Sequence, residues 1–321
     1  MNYENTREIL KRTLAFDDKA TLRPVGDAIG DDGINPTRWE ERAREFQRKV
    51  LVLTERAEQF DFTGSGTDYV VTIETEPDKF EETAEDDPTA VQEYDGRQVK
   101  FDPKEYTSSM EVSRQHMARS FIGFMDRFAV RLGYGSGDRK DKIAADVLYA
   151  GASETVFANG KANRGALEAG DILSPAELRK VRAKMQRERY VPVDFIITPE
   201  QEEQLTSNIN VSFADRYGGA EAIRGGLIGQ LVGWNIVVAH SAQLAENGAV
   251  SKAIALGETQ RGEKAFGYAI KRPLMIESEY VPKYRKFALY GHEEYDFKVL
   301  HPKAVKIVES HNAFEGETIE T

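Results

Sequence analysis

The chain has 321 residues, 40% of them hydrophobic and 30% charged, with 54 Asp and Glu against 43 Lys and Arg and a formal net charge of −11. It has no cysteine, which excludes disulfides, thiolate metal sites and a cysteine nucleophile. The acid excess argues against the whole chain gripping nucleic acid, no apolar run approaches the ~20 residues of a membrane span, and the length suits about two domains.

The start, "MNYENTREILKRTLAFDDKA", lacks the apolar region and cleavage site of a secretory signal. Residues 1–48 read as an arm. Ile9, Leu10 and Leu14 fall on or near one face of a short amphipathic helix, and "RPVGDAIGDDGINPTRW" reads as irregular chain rich in Gly, Pro and Asp. Two strands follow, "TDYVVTIETE" and "RQVKF", with Tyr69, Val71 and Ile73 on one face and Val99 and Phe101 on another. Between them lies the acidic, proline-containing segment "PDKFEETAEDDPTAVQEYDG". The stretch 67–102 is therefore a hairpin with a solvated tip. Such a hairpin is marginal alone and needs a partner, either another chain or its own domain.

From Ser113, apolar residues Met117, Phe121, Phe124, Met125, Phe128 and Leu132 recur at helical spacing, predicting a helix over about 113–132 that Gly133, Gly135 and Gly137 end. "DRKDKIAADVLYAG" resumes as helix and "ASETVFANGKANRG" reads as loop. Ser174 as N-cap with Pro175 after it opens a further helix. "VDFIITPEQEEQL" is a buried strand turning at Pro199 into another helix. "WNIVVAHS", "SKAIALG" and "KAFGYAIKRPLMIESEY" follow, and "RKFALYGHEEYDFKVLHPKAVKIVES" reads as two strands around a Gly-containing turn. Strands and helices interleave without a regular βαβ repeat, which gives an α+β fold.

Catalytic patterns are missing. Gly225, Gly226, Gly229 and Gly233 do not form a dinucleotide fingerprint, because the strand comes after them; they read as a tight turn into that strand. "GYGSGD" misses the nucleophile elbow, since Tyr134 stands two before Ser136. The five histidines are scattered, and neither Glu81, Glu82, Glu85, Asp86 and Asp87 nor Asp27, Asp31 and Asp32 follow a calcium-loop pattern. The reading therefore assigns no catalytic residue, no cofactor and no metal.

The segments "FDPKEYTSSMEVSRQHMARS", "VDFIITPEQEEQL", "GGLIGQLVGWNIVVAHSA" and "YDFKVLHPKAVKIVES", in this order, resemble the major capsid proteins of tailed phages and their archaeal relatives, a fold shared with encapsulin shells. The resemblance runs from about residue 60 to 310. It implies an N-terminal arm (1–48), a P-domain (49–66 and 103–165) with a spine helix near 113–132, and an extended hairpin or E-loop (67–102). An A-domain (166–270), closing P-domain strands (271–310) and a tail (311–321) complete it.

On this reading the protein is a structural subunit, not an enzyme. Hexamers and pentamers would form an icosahedral shell in the virion, assembled in the host cytoplasm around double-stranded DNA held without sequence-specific contacts. Scaffold, portal and decoration proteins are possible partners, and no membrane is involved. The expected assembly residues are Ile9, Leu10 and Leu14 in the arm and Tyr69, Val71, Ile73, Val99 and Phe101 in the hairpin, with Gly225, Gly226, Gly229 and Gly233 forming an A-domain turn. The short pre-hairpin region implies a separate scaffold or none, and Lys79 is not expected to form an isopeptide cross-link. The alternatives are an encapsulin-like shell holding a cargo enzyme and a soluble hydrolase using His240 or Ser136.

Overall fold

A 28-residue helix carries the structure, and the two larger β-sheets among the described residues pack against it. The computed structural model describes residues 36–62, 69–74, 96–113, 115, 124–207, 223–224, 227–240 and 248–314. The fold is α+β. In chain order it comprises α1 (Pro36–Val50), β1 (Glu58–Asp61), β2 (Tyr69–Glu74), β3 (Gly96–Phe101), β4 (Lys104–Ser113), α2 (Phe124–Gly151) and β5 (Glu154–Phe157). These are followed by α3 (Pro175–Arg187), β6 (Val191–Ile197), α4 (Pro199–Ser207), and the short strands β7 (Ile223–Arg224), β8 (Leu227–Ile228) and β9 (Gln230–Leu231). The last elements are β10 (Trp234–Val238), β11 (Val250–Glu258), β12 (Phe266–Val281), β13 (Lys286–Val299) and β14 (Val305–His311).

One sheet has four strands in the order β1-β12-β13-β4, dominated by the long antiparallel β12–β13 ribbon. The other has six, in the order β5-β14-β11-β6-β10-β9, with β6–β10 and β5–β14 parallel. Both faces of the six-stranded sheet are covered, and its central strands alternate accordingly. Ile196, Ile254, Leu256 and Ile307 point into a core shared with Ala144 and Leu148 of α2 and with Phe266, Tyr268, Tyr295 and Phe297 of the four-stranded sheet. Phe195, Ile197, Ala253, Ala255 and Val308 point the other way, onto Leu178, Val181 and Met185 of α3. The helix α3 is N-capped by Ser174, whose hydroxyl accepts from the Ala176 amide and donates to the Glu177 carboxylate, three residues on.

Several sequence expectations are corrected. The helix expected over about 113–132 runs far past its expected end; residue 115 is helical, and 114 and 116–123 lie outside the described residues. Residues Lys104–Ser113 are strand β4, paired along β13 from Tyr295 to Lys286, and α2 runs from Phe124 to Gly151, about 42 Å at 1.5 Å per residue. It passes straight through Gly133, Gly135 and Gly137. A Cβ at Gly133 would collide with the Ala43 carbonyl, and one at Gly137 would press at 3.2 Å on the Gln47 carbonyl and on Val50. Glycines four apart thus let α1 lie against α2 at backbone distance. Residues 36–48, read as part of the arm, belong to α1, with Trp39 and Ala43 buried against Phe128, Ala129, Leu132, Leu274 and Leu289.

The Gly291 turn is also absent: β13 runs through Gly291, where Leu132 of α2 occupies the space a side chain would need. The chain reverses instead at Leu300–Ala304, and β14 crosses to the six-stranded sheet rather than closing the four-stranded one. "ETVF" within the expected loop is the edge strand β5.

Gly133→Ala should destabilise the unassembled subunit by about 1–3 kcal/mol, because two backbones must move apart. Gly135→Ala, whose Cβ meets nothing within 4 Å, should be neutral or stabilising by up to about 1 kcal/mol. Urea unfolding of the two variants checks the contrast.

Candidate assembly surfaces

The β2–β3 hairpin is antiparallel with Tyr69 opposite Phe101, Val71 opposite Val99 and Ile73 opposite Arg97. Directly opposed residues share a face. All five apolar residues therefore lie on one side of the ribbon, not on two. That side turns inward. Ile73, Val99 and Phe101 are 8%, 7% and 0% exposed and pack with Phe62, Ala269 and Leu300, with Phe60 and Val71 alongside. Tyr69 remains 37% exposed and meets the Phe62 ring edge-on.

These residues therefore anchor the hairpin to its own subunit. The reverse face, with Val70 half-exposed and Thr72, Gln98 and Lys100 exposed, is what the hairpin offers outward. Ile9, Leu10, Leu14 and the tip of the hairpin lie outside the described residues.

Of the four glycines of the expected turn, Gly225 and Gly226 lie outside the described residues. Gly233 makes a turn for two physical reasons. Leu231 pairs with Trp234, so Val232 and Gly233 form a two-residue loop with φ of 55° and 74°, the signature of a type I′ turn. Arg182 of α3 also donates to the Val232 carbonyl, and its guanidinium fills the place of a Gly233 side chain. Gly229 has open space around it; its carbonyl accepts from the Ile236 amide. The turn delivers Trp234 into the core, where its indole donates to the Leu178 carbonyl.

Among the described residues the hydrolase alternative gains no constellation. Ser136 sits within α2, donates to Glu293 at 2.6 Å and accepts from Gln47. Glu293 is held by Lys140 at 2.9 Å, and both are about 5% exposed. Burial works against the charge on Lys140, but the Tyr268 hydroxyl and the Glu293 carboxylate outweigh it and hold the ammonium above the ordinary lysine range. This is an interior ion pair bracing two helices and a strand. His240 follows β10 in the other sheet. Among the described residues no three of His, Asp and Glu gather as a metal site, and no helix is long and apolar enough to cross a membrane.

Sequence reading passed over two features. The Gly133–Gly137 spacing of four was the available signal for the helix contact. The arginines Arg42, Arg127 and Arg131, from two helices, come together only in three dimensions.

Comparison with known proteins bears on the whole arrangement. The family model described as phage capsid protein matches residues 96–308, from the first residue of β3 into β14. No curated protein matches the chain. The fold is similar to that of the capsid of the cyanophage P-SCSP1u, with TM-score 0.65 and 14% identity over 81% of this chain and 88% of that one. The capsid of Ralstonia phage GP4 gives 0.62 and 12% identity over 95% and 99%. The cyanophage Pam1 capsid gives 0.60 and 11% over 85% and 93%. The family match does not favour the encapsulin-like alternative.

Phe101→Ala should cost about 3–5 kcal/mol of subunit stability, whereas Val70→Ser on the outward face should stay within about 0.5 kcal/mol. Thermal melts of the unassembled variants separate the two. A Phe101→Ala subunit that melts like the parent and fails only in assembly would return that residue to the interface.

Proposed function

This chain belongs to the phage capsid protein family and is a structural major capsid protein, and from that premise we propose that it closes through hexamers and pentamers into the icosahedral shell of a tailed virus. The observation that carries this is the family match across 96–308, which takes in β3, β4, α2 and nearly all of both sheets. In this reading the four-stranded sheet with α1 and α2 is the peripheral domain and α2 is its spine. The six-stranded sheet with α3 and α4 is the central domain, and β2–β3 is the root of the extended loop. On this reading α1 joins the peripheral domain, and β5 and β14 join the central one.

A closed shell needs heterologous contacts whose geometry closes. The chain is suited to that. Its hairpin is bolted down at the root by Phe101 and Val99, which fixes where the chain leaves the body at Glu74 and returns at Gly96. Each contact with neighbours can be weak, because those made after the first form at high effective concentration. The net charge of −11 suits double-stranded DNA held by confinement, without sequence-specific contacts. A scaffold, a portal, decoration proteins and assembly in the host cytoplasm belong to the same proposal.

The first test is negative-stain electron microscopy of the expressed chain, alone and with products of neighbouring genes. Closed shells are expected, and uniform small oligomers in every condition would overturn the proposal. Deleting residues 77–90 should leave a soluble subunit that assembles poorly; normal shells from that variant would remove the hairpin from assembly. Denaturing gels of the particles should show a monomer band without a cross-linked ladder.

A further inference from the structure

Two stretches of chain that cross between the larger sheets lie side by side. Residues 259–265 lead from β11 to β12, and residues 300–304 lead from β13 to β14. The Ala265 carbonyl ties them together, accepting from the Leu300 and His301 amides at 2.9 Å each. The His301 imidazole, 6% exposed, adds a second tie, with its Nε2 3.4 Å from the Glu263 carboxylate. Of the described histidines it alone is buried. The neighbouring Leu300 belongs to the floor of the hairpin, packed in one cluster with Phe62, Ile73, Val99 and Phe101. One short stretch thus clasps the two crossings and carries the hairpin root.

Taking a charge into such a site costs free energy, and the groups facing His301 come from several elements. Glu263 lies on the 259–265 crossing, Glu58 on β1 and Arg97 on β3. Tyr190 stands just before β6, its ring centre 6.0 Å from that of the imidazole. Lys264, beside Glu263, reaches away to the Glu55 and Ala57 carbonyls. Burial is the largest influence and opposes the imidazolium; Glu263 and Glu58 favour it, and Arg97 opposes it. The balance holds His301 below the ordinary histidine range. The clasped form is therefore fully favoured above the ordinary value of about 6.5, where His301 is neutral in either form. That preference is lost as the pH falls through this value towards the lowered one.

We propose that the 300–304 crossing is an acid-sensitive clasp for the hairpin, with His301 as its switch. Neutral, His301 keeps the two crossings together and Leu300 packed with Val99 and Phe101. Protonated, it draws towards water, the Ala265 contacts open, and the hairpin loses part of its floor. The two sheets meanwhile stay joined through the core that they share with α2. The device lies within one subunit and goes beyond the capsid reading: in a shell it would give mild acid a hold on the hairpin alone.

Amide hydrogen exchange on the full-length, unassembled chain tests it, at about pH 7.5 and about pH 5.5, corrected for the intrinsic pH dependence of exchange. In the parent, the Leu300 and His301 amides and the β2–β3 ladder should exchange up to about tenfold faster at the lower pH. That is the limit for one group titrated about one unit below its ordinary value. The ladders of β11 with β6 and β14 should keep their protection. His301→Gln, neutral at both values, should lose the acceleration. Glu263→Gln, which removes a carboxylate that favours the imidazolium, should retain it. Parent exchange at the crossings that ignores pH would overturn the switch, and so would acceleration that survives in His301→Gln. Acceleration at Leu300 and His301 that stops short of β2–β3 would overturn the hold on the hairpin. A rise spread evenly over both sheets would overturn the clasp in favour of general acid unfolding. If His301→Gln does not fold, histidine NMR of the parent decides. A His301 midpoint at or above about 6.5 would overturn the proposal, and a lower one together with the local acceleration supports it.

Discussion

The burial of Lys140 against Glu293 is the constraint on which the four-stranded half of the molecule depends. Two charges removed from water are tolerable only when they meet each other and when their remaining hydrogen-bonding capacity is used. Here Glu293 on β13 also accepts from Ser136 of α2 and Gln47 of α1, while Lys140 lies over the rings of Tyr268 and Tyr295. Satisfying one carboxylate therefore fixes the positions of both helices on the sheet. A slide of either helix by one residue would strand a buried charge, so the pair sets register more than it adds stability.

From that fixed point the helix α2 distributes its contacts in two directions. Its first half packs Phe128, Ala129 and Leu132 with Trp39 and Ala43 of α1. Its second half packs Ala144, Ala145 and Leu148 into the core that joins the two sheets. The small residues matter as much as the large ones. Gly133 and Gly137 bring α1 to backbone contact, and Gly291 admits Leu132 to the sheet surface. Close-packed interiors transmit displacement, so a subunit built this way presents its outer surfaces in a defined relation to one another. A shell that repeats one geometry over many copies requires that property.

The six-stranded half achieves definition by different means. Its sheet is apolar on both faces, but the helix α4 docks largely through amides. Gln201 reaches Ser310, and Gln204 bridges the Leu173 amide to the carbonyls of His311 and Asn312. Buried polar groups with specific partners choose one arrangement where interchangeable aliphatic contacts would allow several. The hairpin root lies at the opposite extreme. A small satellite cluster holds it, and its exposed surface is polar apart from Val70 and Tyr69.

Sequence alone determined the features that depend on local chemistry. The Ser174 cap, the strand-to-helix turn at Pro199, the antiparallel hairpin, the α+β class and the turn at Gly233 follow from residue types and their spacing, and the order of segments pointed to the capsid family. Tertiary structure alone decided what the glycines of α2 and β13 are for. In isolation Gly133, Gly135, Gly137 and Gly291 weaken a helix or strand and read as breaks; only a neighbouring element at backbone distance turns two of the helical glycines and Gly291 into contacts. The same holds for the side on which Val99 and Phe101 lie. Alternation gives each strand two faces, but cross-strand register decides which residues share one, and the body beneath decides which face is buried. The Lys140–Glu293 pair and the three arginines of α1 and α2 were likewise beyond reach, since residues 153 and 85 positions apart become neighbours only when the chain has folded.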